Sequence, residues 1–337
     1  MAAHEIFELG DFQLQKGSVL PDAKLGYLTL GELSEARDNV VVSPTWFTAT
    51  PADVAFWLTG PGRALDPTKY FIVIPNHFGA AVSSSPSNTP APFERTRFPR
   101  VTTYDNVVAQ QRLVVEHLGI ERIRLVAGWS MGACQAYAWA ALFPDMVEAL
   151  GPINGSARTA NFNKVFLRGN IRAIENDAAW DRGFYSPDRP PVDGVKAMAA
   201  IYAGWAFSEP FYRKELFRVF GARTTDEFVE IFWDAFYVKN DANDLLAQFT
   251  TWFHNDLGDH PSFGGDFDAA LGAISARTTI IQAETDRYFP PVDSDYEASK
   301  IPNARVQRIE TDWGHMAPFN PEDQVVIDGA LRELLGE

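Results

Sequence analysis

The chain has 337 residues, 46% hydrophobic, 13% aromatic and 22% charged, the balance of a globular enzyme with one large domain or a core plus an insertion. A net charge of −15 and a pI near 4.8 argue against nucleic acid or anionic membrane as partner, because both require clustered Lys and Arg. The only cysteine, Cys134, excludes an internal disulfide and a cysteine metal cluster.

In chain order, the opening Met1-Ala-Ala-His-Glu-Ile-Phe-Glu is acidic, without a basic start or an apolar run, so no signal peptide is expected and a cytoplasmic location is the default. No apolar stretch approaches the ~18–20 residues of a membrane span. β-rich runs are predicted at Ala23–Leu30, Asn39–Ser43, Tyr70–Pro75, Ile123–Ala127, Thr278–Gln282 and Val306–Ile309. Several are continuously apolar, as suits strands of a parallel sheet covered on both faces. Helices are predicted at Val107–Leu118, stopping before Gly119, and at Met131–Phe143, stopping at Pro144. This alternation is that of an α/β fold. It lapses from Ser156 to about Gly265, where helical and loop patterns rich in Trp, Phe and Tyr replace it, and strand signals resume at Thr278. The expected organisation is a core over residues 1–155 and 266–337, interrupted by a helical lid over residues 156–265.

Gly128-Trp-Ser130-Met-Gly132 sits between a β-rich run and an Ala-rich helical run. A serine on a sharp strand-to-helix turn needs glycines two positions to either side, because side chains there would clash. The helix that follows aims its N-terminal N–H groups at the site and favours negative charge there. Ser130 is therefore the candidate nucleophile. Cys134, one helical turn later, reads as a small packed residue.

A serine hydroxyl attacks only when a base removes its proton, and histidine suits that role. In α/β-hydrolase order the acid and the histidine follow the serine on loops after late strands. His315, in Asp312-Trp-Gly-His-Met, meets that requirement. His4, His77 and His117 precede the serine, and His254 and His260 fall in the expected lid. The acid is expected in Thr279-Ile-Ile-Gln-Ala-Glu-Thr-Asp286. Asp286 is preferred to Glu284 and to the later Asp293, because its loop carries it clear of the strand end. Its part is to hold the imidazole tautomer and to stabilise imidazolium. Met131 N–H is one expected oxyanion donor. Phe47 N–H, in the loop after Asn39–Ser43, is the second, with Trp46 and Thr48 as alternatives. The acid and histidine positions lack metal-ligand spacing, and no cofactor or metal is expected.

The same residues resemble the homoserine O-acetyltransferase family of the α/β hydrolases over nearly the whole chain. The likeness runs through Tyr27-Leu-Thr-Leu-Gly, Phe71-Ile-Val-Ile-Pro-Asn76, Phe98-Pro-Arg-Val-Thr, Gly128-Trp-Ser-Met-Gly, Arg172-Ala-Ile-Glu-Asn-Asp, Gly258–Leu271, Asp286-Arg-Tyr-Phe-Pro-Pro and Gly314-His315. It implies a triad of Ser130, Asp286 and His315, oxyanion donors at Phe47 and Met131, and a homodimer through the lid.

Substrate recognition departs from that pattern. Trp129 and Ala133 stand where the transferases have glycine. Met316 stands where they place an aspartate for the amino group of homoserine. Ile171 stands where they place an arginine for its carboxylate, with Arg168 and Arg172 only nearby. An ammonium buried without its partner is strongly disfavoured. Trp46, Trp129 and Met316 are expected to line an apolar pocket instead. The resemblance and its departures together imply a carboxylic-ester hydrolase working through an acyl-enzyme on a neutral, short- to medium-chain ester. The alternatives are an O-acyltransferase using acyl-CoA and, more remotely, a catalytically silent binding protein.

Overall fold

The computed structural model describes residues 4–337, so residues 1–3 of the stretch read for a signal peptide lie outside the described residues. The chain runs β1 (Glu5–Gln13), β2 (Val19–Leu30), β3 (Val40–Val42), α1 (Pro51–Leu58), β4 (Phe71–Pro75), α2 (Thr103–Arg112), β5 (Leu125–Trp129), α3 (Met131–Leu142) and β6 (Ala149–Ile153). Then come α4 (Asn161–Glu175), α5 (Val192–Ala206), α6 (Glu209–Arg213), α7 (Thr225–Phe228), α8 (Ala235–Tyr237), α9 (Ala242–Phe253) and α10 (Phe267–Gly272). β7 (Arg277–Ala283), α11 (Pro291–Lys300), β8 (Ala304–Ile309) and α12 (Pro321–Leu335) complete it. The eight strands form one sheet in the order β1-β2-β4-β3-β5-β6-β7-β8. Pairing is antiparallel for β1–β2 and β2–β4 and parallel elsewhere, the mostly parallel sheet expected.

The continuous apolar runs have a direct cause. Val41, Ile72, Ile74, Leu125 and Ala127 pack on one face of the sheet with Leu331 and Leu334 of α12. Val40, Val42, Val73 and Val126 pack on the other, with Val107 of α2 and Tyr137 and Trp139 of α3. Successive strand residues point to opposite faces, and both faces are covered. The first core continues into Phe166, Tyr202, Phe207, Trp233, Phe249 and Trp252, from the segment between β6 and β7.

Several elements differ from expectation. β1 carries little strand signal because, at the sheet edge, it buries only two of its nine side chains. β6 carries little because Gly151 and Pro152 interrupt it; Gly151 is needed there, since a Cβ would lie 2.7 Å from Leu331 of α12. β5 starts and ends two residues later than the predicted run, which brings Gly128 and Trp129 into the strand and leaves Ser130 directly at its end. The helix predicted at Val107–Leu118 begins earlier, at a Thr102–Asp105 capping box, and its last part, Leu113–His117, is a π-helical turn. No helix among the described residues is long and apolar enough to cross a membrane.

Glu297 of α11 is buried and accepts a 2.7 Å hydrogen bond from Ala157 N, tying α11 to the segment after β6. Burial pushes its carboxyl from the ordinary 4.5 up to about 8. Between those values the folded chain keeps a proton that the unfolded chain has lost. Its contribution to stability is therefore present below about pH 4.5 and falls away as pH rises through about 8. Glu297→Gln keeps the acceptor for Ala157 and stays neutral, so it should raise Tm by several degrees at about pH 8.5 and little at about pH 5. The same Tm difference at both pH values in a thermal melt would refute this.

Candidate active site

Ser130 follows β5 directly and precedes α3, with φ 60° and ψ −125°, a sparsely populated conformation for a residue with a side chain. The flanking glycines are required by distance. A Cβ on Gly128 would lie 2.5 Å from the Gly132 carbonyl, and one on Gly132 would lie 2.4 Å from the Pro44 oxygen. Met131 is the first residue of α3, so its N–H has no intrahelical partner.

The turn after β8 brings His315 back to this point. Gly314 enters it at φ 59°, close against the 206–208 segment; a Cβ there would lie 3.0 Å from Ser208 N. His315 Nε2 is 2.9 Å from Ser130 Oγ, and His315 Nδ1 is 2.9 Å from Asp286 Oδ2. Asp286 Oδ1 accepts from Tyr288 N at 2.8 Å and Phe289 N at 3.2 Å, which leaves the other oxygen for the histidine. A carboxylate accepts only, so His315 Nδ1 carries the proton and Nε2 turns its lone pair to the Ser130 hydroxyl. All three side chains are buried. Glu284 is exposed, on the rim of a different cleft with Glu310 and Asp312, and the structure does not bring it or Asp293 to the histidine.

Asn154, which the sequence reading does not single out, and Trp129, expected only to line the pocket, hold His315 in place. Its carbonyl accepts from Asn154 Nδ2 at 3.1 Å and from Trp129 Nε1 at 3.2 Å, and Asn154 Oδ1 accepts from Ala283 N at 2.8 Å. Trp129 also stacks on the imidazole, ring centroids 4.9 Å apart. The tryptophan that replaces a glycine beside the serine thus supports the histidine. Asn154 directly follows β6, the strand whose signal is interrupted.

The loop after β3 packs against the serine turn. Gln135 Nε2 donates to both Thr45 O, at 2.9 Å, and Met131 O, at 3.0 Å, joining the two segments that carry the candidate oxyanion donors. Phe47 N–H donates to no acceptor among the described residues. Thr48 N–H is committed to Gln248 Oε1 at 2.7 Å and is not free to bind an oxyanion.

A cavity of about 190 Å³ opens beside His315, lined by Trp46, Phe47, Trp129 and Met316 from the core and by Tyr202, Trp233 and Tyr237 from the segment between β6 and β7. No Lys or Arg lines it among the described residues. Burial holds the Tyr202 and Tyr237 phenols well above their ordinary range, so they remain neutral. Ile171 is buried in the core and does not line the cavity, while Arg168 and Arg172 are exposed, with Arg168 lying over the Phe253 ring. Cys134 is buried, and burial raises its thiol to about 12, so it stays a neutral packed group.

Residues 49–321 match the alpha/beta hydrolase fold family. Over 333 residues the chain is 33% identical to the ethyl acetate hydrolase of Pseudomonas veronii, covering 98% of this chain and 95% of that one. It is 30% identical over 325 residues to the homoserine O-acetyltransferase of Chlorobaculum parvum, covering 93% and 90%. The crystal structure of an acetylester hydrolase from Corynebacterium glutamicum superposes with a TM-score of 0.96 at 33% identity, covering 99% of this chain and 96% of that one.

Proposed function

We propose, from the premise that the chain belongs to the alpha/beta hydrolase fold family, that it hydrolyses small neutral carboxylic esters through an acyl-enzyme on Ser130. The observation that carries this reading is the Ser130–His315–Asp286 relay, with both contacts at 2.9 Å, opening onto an aromatic cavity without a cationic side chain.

In this reading Ser130 Oγ attacks the ester carbonyl carbon as His315 Nε2 takes its proton. The carbonyl oxygen becomes an oxyanion held by Phe47 and Met131 N–H groups. His315 then gives the proton to the departing alcohol oxygen, and the acyl group stays on Ser130. Water attacks the acyl carbon while His315 takes one of its protons. The carboxylic acid leaves, and Ser130 Oγ recovers its proton. Asp286 balances the imidazolium formed in both halves. The helical segment of residues 156–265 serves as a lid that supplies the outer wall of the cavity and limits the size of the ester.

An amino-acid acceptor is disfavoured here. With Met316 at the position beside His315 and no arginine on the wall among the described residues, the carboxylate of homoserine finds no cation. The one acid of the lining, Asp53, is exposed and accepts from Thr50 N and Oγ1 in the cap of α1, so an ammonium buried beside the histidine lacks a partner there, which is costly. The test sets p-nitrophenyl acetate hydrolysis beside thiol release from acetyl-CoA with and without homoserine. Ester turnover with no homoserine-dependent thiol release is the expected result. Thiol release that increases several-fold with homoserine would overturn hydrolysis in favour of acyl transfer.

The cavity also sets an acyl-length preference. Trp57 of α1, partly buried, forms part of its wall. Trp57→Ala should raise the ratio of kcat/KM for p-nitrophenyl butyrate to that for the acetate by roughly tenfold, since two further CH₂ groups contribute about 0.8 kcal/mol each on burial. An unchanged ratio would mean that this wall does not border the acyl chain.

A further inference from the structure

We propose that Gln248, acting with His77, is a positioning residue for the oxyanion hole: its side-chain amide clamps the peptide that follows Phe47 and so aims the Phe47 N–H into the site. This rests on the reading of Ser130 as an acylated nucleophile.

The hydrogen bonds fix a direction at every step. Gln248 Oε1 is 2.7 Å from Thr48 N, which can only donate, so the oxygen of the amide, not its nitrogen, faces the loop. The same oxygen lies 3.2 Å from His77 Nε2, so that nitrogen carries the proton. His77 Nδ1, 2.9 Å away from Thr45 Oγ1, then accepts from the threonine hydroxyl. Gln248 Nε2 donates to Gly79 O and Asp244 O, both at 3.2 Å, anchoring the amide to α9 and to the loop after β4. His77 and Gln248 are buried, and burial holds the His77 imidazole down at about 4, so it remains neutral in this relay. The relay therefore grips the oxyanion loop at Thr45 and at Thr48, on both sides of Phe47.

The loop needs such a grip. Thr48 has φ 65°, the left-handed region that a β-branched residue avoids, and its hydroxyl is turned back onto Phe47 O at 2.6 Å. The Thr45 peptide is held from the other side by Pro75 O and Gln135, and Ala49 N donates to Trp46 O. With these neighbours committed, the Phe47 N–H is left without a protein acceptor among the described residues. The next residue of α9, Phe249, packs on the Phe47 ring at 4.4 Å, so one helix turn fixes both the side chain and the peptide. An oxyanion donor acts through where it points, and removing one typically costs ~10²–10³ in rate.

The experiment compares wild type with Gln248→Met, which keeps length and packing but removes the acceptor, and with Thr45→Val, which keeps shape but removes the donor to His77. For p-nitrophenyl acetate, kcat should fall about 10- to 100-fold in Gln248→Met with KM within about twofold, and less in Thr45→Val, a partial loss of one oxyanion contact. Inhibition by a trifluoromethyl ketone, whose adduct with Ser130 carries an oxyanion, should weaken in proportion to the loss in kcat/KM. A role in folding alone would not produce that proportionality. A folded Gln248→Met with kcat within about threefold of wild type, or a loss confined to KM, overturns the proposal. If Gln248→Met does not fold, an unchanged kcat and unchanged ketone affinity in Thr45→Val overturn it. Absence of Ser130-dependent turnover in the wild type is a different result: it removes the reading of Ser130 as nucleophile, and the positioning role with it.

Discussion

Ser130→Ala should lower kcat for p-nitrophenyl acetate by about 10⁶ while leaving the chain folded. The size follows from the mechanism. Without the hydroxyl there is no atom to carry the acyl group, and the relay of His315 and Asp286 has nothing to activate. What remains is the oxyanion hole and the cavity, which in such sites retain about 10³–10⁴ of acceleration over water. Folding should be untouched, because the only side-chain hydrogen bond of Ser130 among the described residues is the 2.9 Å contact to His315 Nε2, and alanine keeps the Cβ. Stability is expected to be equal or slightly higher, the usual consequence of removing a polar group that serves chemistry in a buried site. The checks are steady-state kinetics, a thermal melt and labelling by a fluorophosphonate, which should modify wild type and not the variant. Turnover by Ser130→Ala within about tenfold of wild type would remove the acyl-enzyme mechanism altogether.

Asp286→Asn should cost about 10⁴ in kcat with almost no change in structure. The local hydrogen bonds dictate how the amide sits. Tyr288 N and Phe289 N both donate to the Oδ1 position, so the oxygen of the introduced amide must occupy that place. The amide nitrogen then faces His315 Nδ1 as a donor. The histidine is forced to accept at Nδ1 and carry its proton on Nε2, where it can no longer take one from Ser130. The loss is one of tautomer, and it should appear in kcat with KM nearly unaltered and with the same Tm within a few degrees. A variant that keeps about a tenth of the wild-type kcat would mean that Asp286 neither orients the imidazole nor balances its charge.

The amino-acid sequence carries more of this site than its length suggests. Gly128, Ser130 and Gly132 are readable because they form a five-residue pattern between a strand and a helix; the constraint on Gly128 is local, against the Gly132 carbonyl, whereas Gly132 must be glycine because Pro44 O of a distant loop lies against it. The placing of His315 and Asp286 follows from chain order, each on the loop after a late strand, β7 buried on both faces and β8 only partly buried at the sheet edge. The structure brings Ser130, His315 and Asp286 into one hydrogen-bonded line and sets Trp46, Phe47, Trp129 and Met316 around one cavity, with Met131 next to the serine. The strands that escape notice are those whose signal is diluted, β1 by exposure at the edge and β6 by Gly151 and Pro152.

What the order of residues determines by itself is whatever depends on near neighbours along the chain, the serine turn and the strand periodicity; that Ile171 and Met316 stand in place of amino-acid ligands comes only from the resemblance to the homoserine O-acetyltransferase family. The tertiary structure alone decides which polar groups support the reacting ones. Asn154, Gln135, His77 and Gln248 carry no distinguishing pattern, since a buried amide or a neutral histidine is defined by its partners and not by its flanking residues. Gln248 meets Thr48 from 200 positions away. Such contacts exist only after the sheet has closed and α9 has folded back over it, because a hydrogen bond depends on direction and distance in space, and these are set by packing.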